Sequence, residues 1–239
     1  MRSASLDLIV GIDDTDMPGT PGTGRLARLL AEELAGIGPV SGVTRHQLYQ
    51  GPGVPKTHRN SAAAIGMTGA VSPEEILGAA ARFLLREHAP GSDPGVAVVA
   101  GSPPGEVVAF ARRAQSGLVD RDEAQRIAAD AGVPVIGLAG TRDGLIGALA
   151  AAALRAEGND GRYIGLSGIR QLEPVCTVDE ILACSGIAAV IDVDTGDPLA
   201  GGSRLDTGNW VRPRLIGGRP VLMARRHEGA WVNADARPG

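Results

Sequence analysis

The chain has 239 residues, 44% of them hydrophobic and 3% aromatic, with 23 Lys and Arg against 27 Asp and Glu for a formal net charge of −4. That length holds one large domain or two small ones, and the apolar content suffices for a sizeable aliphatic core. The acidic balance excludes a broad nucleic-acid surface and leaves room only for a local basic groove. Cys176 and Cys184 are too few for a disulfide framework, and no His lies near them to complete a zinc site.

The first predicted element is a strand over the apolar run that ends at Asp13. It stops in Asp13, Asp14, Thr15 and Asp16, and a loop follows with Gly19, Gly22 and Gly24 interleaved with Pro18 and Pro21. Leu26, Leu29, Leu30 and Leu34 then recur at helical spacing. Residues 39 to 50 read as a second strand and residues 62 to 67 as a third, with Lys56, Thr57, Arg59 and Asn60 in the polar approach between them. Ser72-Pro73-Glu74-Glu75 opens a helix that runs to about His88. A short buried strand follows at 96 to 100, then helices at 104 to 115 and 120 to 131, the latter closed by Gly132.

Residues 133 to 138 predict another strand, and Gly140-Thr141-Arg142-Asp143-Gly144 is a loop before an Ala-rich helix over about 145 to 157. Residues 162 to 170 are a strand candidate, and Thr177 with Glu180 opens a short helix. The remainder is mostly β, at 188 to 194, 210 to 216 and 220 to 226, with Gly217-Gly218 as a hairpin turn. The pattern predicts an α/β or α+β fold with a mixed sheet, helices and a β-rich C-terminal part. Residues 1–170 form the candidate catalytic region and 171–239 the β-rich region, or the two make one integrated domain. No signal-peptide pattern is present, and the longest apolar run, around 144 to 154, is too short to span a bilayer. The sequence reads as a cytoplasmic protein with no membrane partner; its oligomeric state stays open.

The candidate site starts at the acidic turn. Three carboxylates in four positions at the end of a buried strand are costly without a counter-charge, and a divalent cation with phosphate oxygens is the usual remedy. A solvated acidic turn is the competing reading. The Gly-rich loop before a helix presents backbone amides, which attract phosphate. Asp13, Asp14 and Asp16 are therefore candidate Mg²⁺ ligands, with Gly19, Gly22, Thr23 and Gly24 as candidate phosphate contacts. Familiar phosphate motifs fail here: Gly24-Arg25-Leu26 stands where a Walker A loop needs Gly-Lys-Ser/Thr. The dehalogenase-type Asp-x-Asp-x-Thr fails at Pro18.

Lys56 is the only lysine among 23 basic residues, and in so Arg-biased a chain a surviving lysine points to a need for a compact ammonium. Chance survival is the alternative. The 140 to 144 loop reads equally as a connector or as a phosphate contact. Asp192-Val193-Asp194-Thr195-Gly196-Asp197 lacks the later ligands of a calcium loop and reads as a turn. His46 and His58 flank the Lys56 loop, and no Ser-His-Asp geometry is legible around them. A solvated or packed imidazole is the default for His88 and His227.

Assembled, these blocks resemble the archaeal tRNA-isoleucine agmatinylcytidine synthetases. Val10-Gly11-Ile12-Asp13-Asp14-Thr15-Asp16 matches the family's N-terminal motif. Gly22-Thr23-Gly24 stands at its Cys-Thr-Thr step, keeping the first threonine and losing the cysteine and the second threonine. Residues 56 to 62, Lys-Thr-His-Arg-Asn-Ser-Ala, look like its Lys-Thr-Arg-Gly-Asn-Gly-Ala block. Asp93-Pro94-Gly95, the run from Gly144 to Ala150 and, faintly, Asp206 to Asn209 also have counterparts there.

The resemblance implies a remote homologue of the family's kinase-like region, without its oligonucleotide-binding and zinc-ribbon domains. It further implies an ATP- and Mg²⁺-dependent phosphoryl or nucleotidyl transferase, with Lys56 and Arg59 neutralising the transferring group. Thr57 and Asn60 would help to bind nucleotide, and Thr23 would be a phosphate contact or a phosphoacceptor. The acceptor would be a small molecule or tRNA. A Mg²⁺-dependent phosphohydrolase and a non-catalytic nucleotide- or tRNA-binding module are the alternatives.

Overall fold

Leu8–Asp13 forms β1, an inner strand of a mixed sheet, in a computed structural model that describes residues 8–54, 60–69 and 72–236. Its residues alternate between two cores. Ile9 faces the helices α3 (Gly105–Ser116), α4 (Arg121–Asp130) and α5 (Gly144–Glu157), while Leu8, Val10 and Ile12 face α1 (Thr23–Leu34) and α2 (Pro73–Glu87). A strand covered on both faces must be continuously apolar, as this one is until Asp13. Each of its buried aliphatic side chains contributes about 1.5–3 kcal/mol.

The strands of this half are β2 (Val40–Gln47), β3 (Ser61–Met67), β4 (Gly95–Ala100), β5 (Val135–Gly137) and β6 (Arg162–Gly165), in the order β5-β4-β1-β3-β2-β6 with every pairing antiparallel. The sheet continues through β10 (Arg214–Ile216) to β11 (Arg219–His227), β12 (Ala230–Asn233), β9 (Arg204–Asp206) and β7 (Val175–Thr177). There β8 (Ala189–Asp192) joins β11 and β9 joins β12 in parallel. With α6 (Val178–Cys184) these strands enclose a third apolar cluster around Ile181, Leu205 and Leu222. The described residues thus form 12 strands and six helices, the mixed architecture expected of an α/β or α+β chain. No helix among them is long and apolar enough to cross a membrane.

Local signals explain most boundaries. Ser72, Asp120 and Thr177 each accept a hydrogen bond from the backbone three residues on, and Thr177 with Glu180 completes a reciprocal capping box. Three expectations shift. Leu29 is 39% exposed, because the buried stripe of α1 runs through Leu26, Leu30 and Leu34 instead. β6 is only four residues long and ends at Gly165, and the chain turns at Gly168 with φ +73°. β10 starts only at Arg214, since Pro213 has no N–H to give to a ladder. The Asp192 to Asp197 segment is a turn, with the Asp192 carboxylate accepting from the Asp194 amide at 3.0 Å.

Packing of α5 on β1 is unusually close and places the site. A Cβ on Gly11 would lie 1.9 Å from the Ala148 carbonyl oxygen, so the helix rests on the bare strand backbone. The alanines of α5 permit the same approach from the other side.

Candidate functional site

The acidic turn sits at the bottom of a cleft of about 520 Å³. Asp13 follows Ile9 and Gly11 on the α5 side of β1, and its carboxylate lies under the first turn of that helix. A Cβ on Gly147 would come within 1.8 Å of Asp13 Oδ2, so glycine is required there. Asp14 has the left-handed φ of +49°, a conformation that aspartate tolerates better than most side chains but that still stores strain. Asp16 turns the other way: its Oδ1 accepts from the Thr23 amide at 3.1 Å and from the Thr23 hydroxyl at 2.8 Å. It thereby satisfies the first unpaired N–H of α1, whose N-cap Gly22 has no side chain to do so. The Thr23 hydroxyl also accepts from the buried Thr15 hydroxyl at 3.2 Å.

The N-termini of α1 and α5 both open into this cleft, through Thr23 and through Asp143 and Gly144. Their positive dipole ends favour anions there, although the Thr23 amide is taken by Asp16 and the Asp143, Leu145 and Ile146 amides by Thr141, Arg142 and Asp143. Carboxylates crowd the same space. Burial, with the charges of Asp14 and Asp16, pushes Asp13 up to about 7, although the Asp14 amide opposes the shift. Asp14 is pushed up to about 6 by burial, then by the charges of Asp93, Asp16 and Asp143. Such carboxylates lack a counter-charge, and a bound divalent cation reverses that cost.

The oxygen donors suit a hard cation such as Mg²⁺, which takes one or two carboxylates and completes its shell with phosphate oxygens and water. Among the described residues no three acids, histidines or cysteines form a metal-binding group by themselves. The commitment of Asp16 to Thr23 is one reason. Asp13 and Asp14 are the pair that fits.

Of the other expected contacts, Asn60 lines the cleft and donates through Nδ2 to the Tyr49 carbonyl at 2.8 Å. Gly19, Gly22 and Gly24 do not line it. Gly24 instead meets Ile164 in the core, where a Cβ would stand 3.1 Å from its Cδ1. Lys56, Thr57 and Arg59 lie outside the described residues, as does His58; Val54 and Asn60, on either side of them, both line the cleft.

Several site residues escaped the sequence reading. Asp93 accepts a hydrogen bond from the Thr141 hydroxyl and bears electrostatically on Asp14. The Asp-Pro-Gly block before β4 was its signal. Arg121, at the start of α4, donates to the Thr141 carbonyl at 2.6 Å and lies 3.9 Å from Asp143. An apolar wall of Leu48, Tyr49, Leu118 and Ile146 faces the acids, and Leu118 is 63% exposed at its edge.

His46 does have an acid and a hydroxyl in line, with Nδ1 at 2.8 Å from Asp160 and Nε2 at 2.8 Å from the Thr44 hydroxyl. The alignment is structural. His46 and Thr44 are wholly buried, burial lowers the His46 pKa so that the ring stays neutral, and Arg155 Nη1 occupies the Thr44 oxygen at 2.9 Å.

No protein-family model and no curated protein matches the chain. Solved structures do. The complex of TiaS with its isoleucine tRNA and ATP aligns with a TM-score of 0.53 at 25% identity, over 61% of this chain and 36% of that one. Apo TiaS, a tRNA agmatidine synthetase, aligns with a TM-score of 0.51 at 26% identity, over 61% and 35%. A tRNA fluorescent labeling enzyme aligns at 0.52 and 26%, over the same shares. The chain thus spans about 35% of the length of these proteins and fits a partial, remote homologue of them, as its motifs imply.

Proposed function

We propose that the chain is an ATP- and Mg²⁺-dependent phosphoryl or nucleotidyl transferase, related to the nucleotide-using part of the agmatidine synthetases. The observation that carries this reading is the gathering of Asp13, Asp14, Asp16 and Asp93 with two helix N-termini in one cleft. Helix N-termini and crowded carboxylates belong together when a polyphosphate and a divalent cation bind between them. Asp13 and Asp14 would hold Mg²⁺, which neutralises charge on the phosphates when bound.

The chain's own groups divide the remaining work. The positive dipole ends at the starts of α1 and α5 draw phosphate oxygens into the cleft. Lys56 and Arg59 supply positive charge from the segment between Val54 and Asn60. The apolar wall with Tyr49 takes the nucleobase and excludes water. Thr23 contacts phosphate or accepts it: its hydroxyl already donates to Asp16 at 2.8 Å, the arrangement a general base needs to receive that proton. TiaS has been solved with tRNA and ATP, and with tRNA, AMPCPP and agmatine, which supports ATP as substrate here and leaves tRNA or a small molecule as acceptor.

Calorimetric titration of ATP with and without Mg²⁺, on the wild type and on Asp14→Asn, tests the site. Binding should require Mg²⁺ and disappear in the variant; normal Mg²⁺-dependent binding by Asp14→Asn refutes the assignment. Product analysis then separates reaction classes, since phosphate release that ignores every acceptor identifies a hydrolase.

A further inference from the structure

A second cavity, of about 720 Å³, has the opposite electrostatic character. It opens where β6 runs out: β6 pairs with β2 only at residues 43 to 45, and the earlier residues of β2 face the gap. Small and apolar side chains from α1, together with Leu166, form one wall. Arg28 and Arg219 reach it from two sides, and Glu32 is its sole acid among the described lining residues. We propose that this cavity is an oxyanion-binding site for a phosphate or carboxylate, with Arg28 and Arg219 as direct contacts and the Ser41 hydroxyl as a third donor.

Among the described residues neither arginine has a carboxylate within ion-pair distance. Arg28 Nη1 donates to the Gly24 carbonyl at 2.9 Å, and Arg219 Nη2 to the Ala188 carbonyl at 3.3 Å. Both guanidiniums keep further donors in a fixed fork that matches an oxyanion. Burial and then the charges of Arg170 and Arg25 depress the pKa of Arg28, with the Glu32 carboxylate opposing them, so basic residues outnumber acids around the cavity.

The independent observation lies behind the wall. Arg155 is 1% exposed, and no acid pairs with it among the described residues. Its Nη1 donates to Thr44 Oγ1 at 2.9 Å and its Nη2 to Ser41 Oγ at 3.3 Å, the neutral Tyr163 phenol hydrogen-bonds it, and its Nε has no hydrogen-bond partner. Ser41 and Tyr163 both line the cavity. A buried cation without a counter-charge is expensive, and an anion one residue away repays it. Because Ser41 accepts from Arg155, its own O–H proton is left to donate into the cavity.

Titrating the full chain in EDTA at low salt with inorganic phosphate, and separately with butyrate, tests the proposal. EDTA removes metal-assisted binding in the acidic cleft, and the Arg28→Gln/Arg219→Gln comparison separates any remaining signal there from that of the cavity. At least one probe should bind at one site, and affinity should fall about tenfold or more in Arg28→Gln/Arg219→Gln, as expected for loss of charge-assisted hydrogen bonds. Asp14→Asn should bind like the wild type. Phosphate alone binding identifies a phosphoryl ligand, and butyrate binding identifies a carboxylate on an apolar body. Equal affinity in the double variant, loss of binding in Asp14→Asn, or no binding of either probe overturns the proposal. Ser41→Ala, with its smaller change in the wall, should weaken binding in the same direction; unchanged affinity there removes the serine from the site and contradicts its stated role.

Discussion

Replacing Asp13 by Asn should stabilise the metal-free protein while removing its nucleotide binding. The Asp13 pKa rises from 3.8 to about 7 on folding, mainly through burial, although the residue is only half-buried and lines the cleft. About three pKa units at about 1.36 kcal/mol each give an upper bound of about 4 kcal/mol on the penalty above pH 7, which solvent screening reduces. Its sign follows from the raised folded value. The unfolded chain ionises first, so stability falls as pH rises through the window from about 4 to 7, and it returns on acidification. The carboxamide does not titrate, and every other group is common to both proteins. Urea unfolding in EDTA at pH 5 and pH 8 should therefore show the stability difference between variant and wild type growing toward the higher pH, by at most about 3 kcal/mol. A pH-independent difference would refute the claim that Asp13 is held as an uncompensated buried carboxyl.

Mg²⁺ with ATP should flatten the wild-type pH dependence above pH 6, because a bound cation favours ionised Asp13 and Asp14; the same unfolding series with both added checks it. Gly147→Ala should cost about 1–3 kcal/mol by overpacking and weaken Mg·ATP binding, since the new methyl collides with the Asp13 carboxylate; a wild-type melt and titration would contradict the packing argument. Thr23→Ala should abolish any label transferred from γ-labelled ATP to the chain while Thr23→Ser retains it, as read by intact-protein mass; equal labelling of both excludes the threonine. Asp160→Asn should cost about 1–3 kcal/mol at neutral pH, because Asp160 holds His46, Arg112 and Gln115 together. Its pKa is lowered on folding by those partners, against the opposing effect of burial. Its contribution therefore belongs above pH 4 and is lost on acidification, so acid unfolding of the variant should show less stability lost below pH 4.

Local chemistry was the most legible part of the sequence. Ser72, Asp120 and Thr177 announced three helices because a cap is a contact between residues three apart. The strands β7, β9 and β12 were not read, since three or four residues carry too little periodicity and their pairing depends on distant segments. The acidic turn was readable for the same reason as the caps: Asp13, Asp14 and Asp16 are neighbours in the chain. Asp93, Arg121 and the 141 to 144 loop come from elements far apart in sequence, and only the folded sheet brings them to Asp14. The Gly-rich loop misled in part. Gly24 is small to admit Ile164, and no pattern distinguishes a glycine that makes room for a side chain from one that makes room for a phosphate. Arg155 showed no sequence signal, as its Ala-rich helix gives no sign that one cationic side chain turns inward.

The seating of α5 on bare backbone at Gly11 has a genetic consequence. Two positions with no reactive group, Gly11 and Gly147, fix the height of a helix whose amino end lies over the acidic turn. In a saturation-mutagenesis screen for function they should tolerate substitution as poorly as the aspartates beside them. A map of intolerance drawn from such a screen would outline the contact between helix and strand as well as the chemistry, and glycines in it would mark spacing.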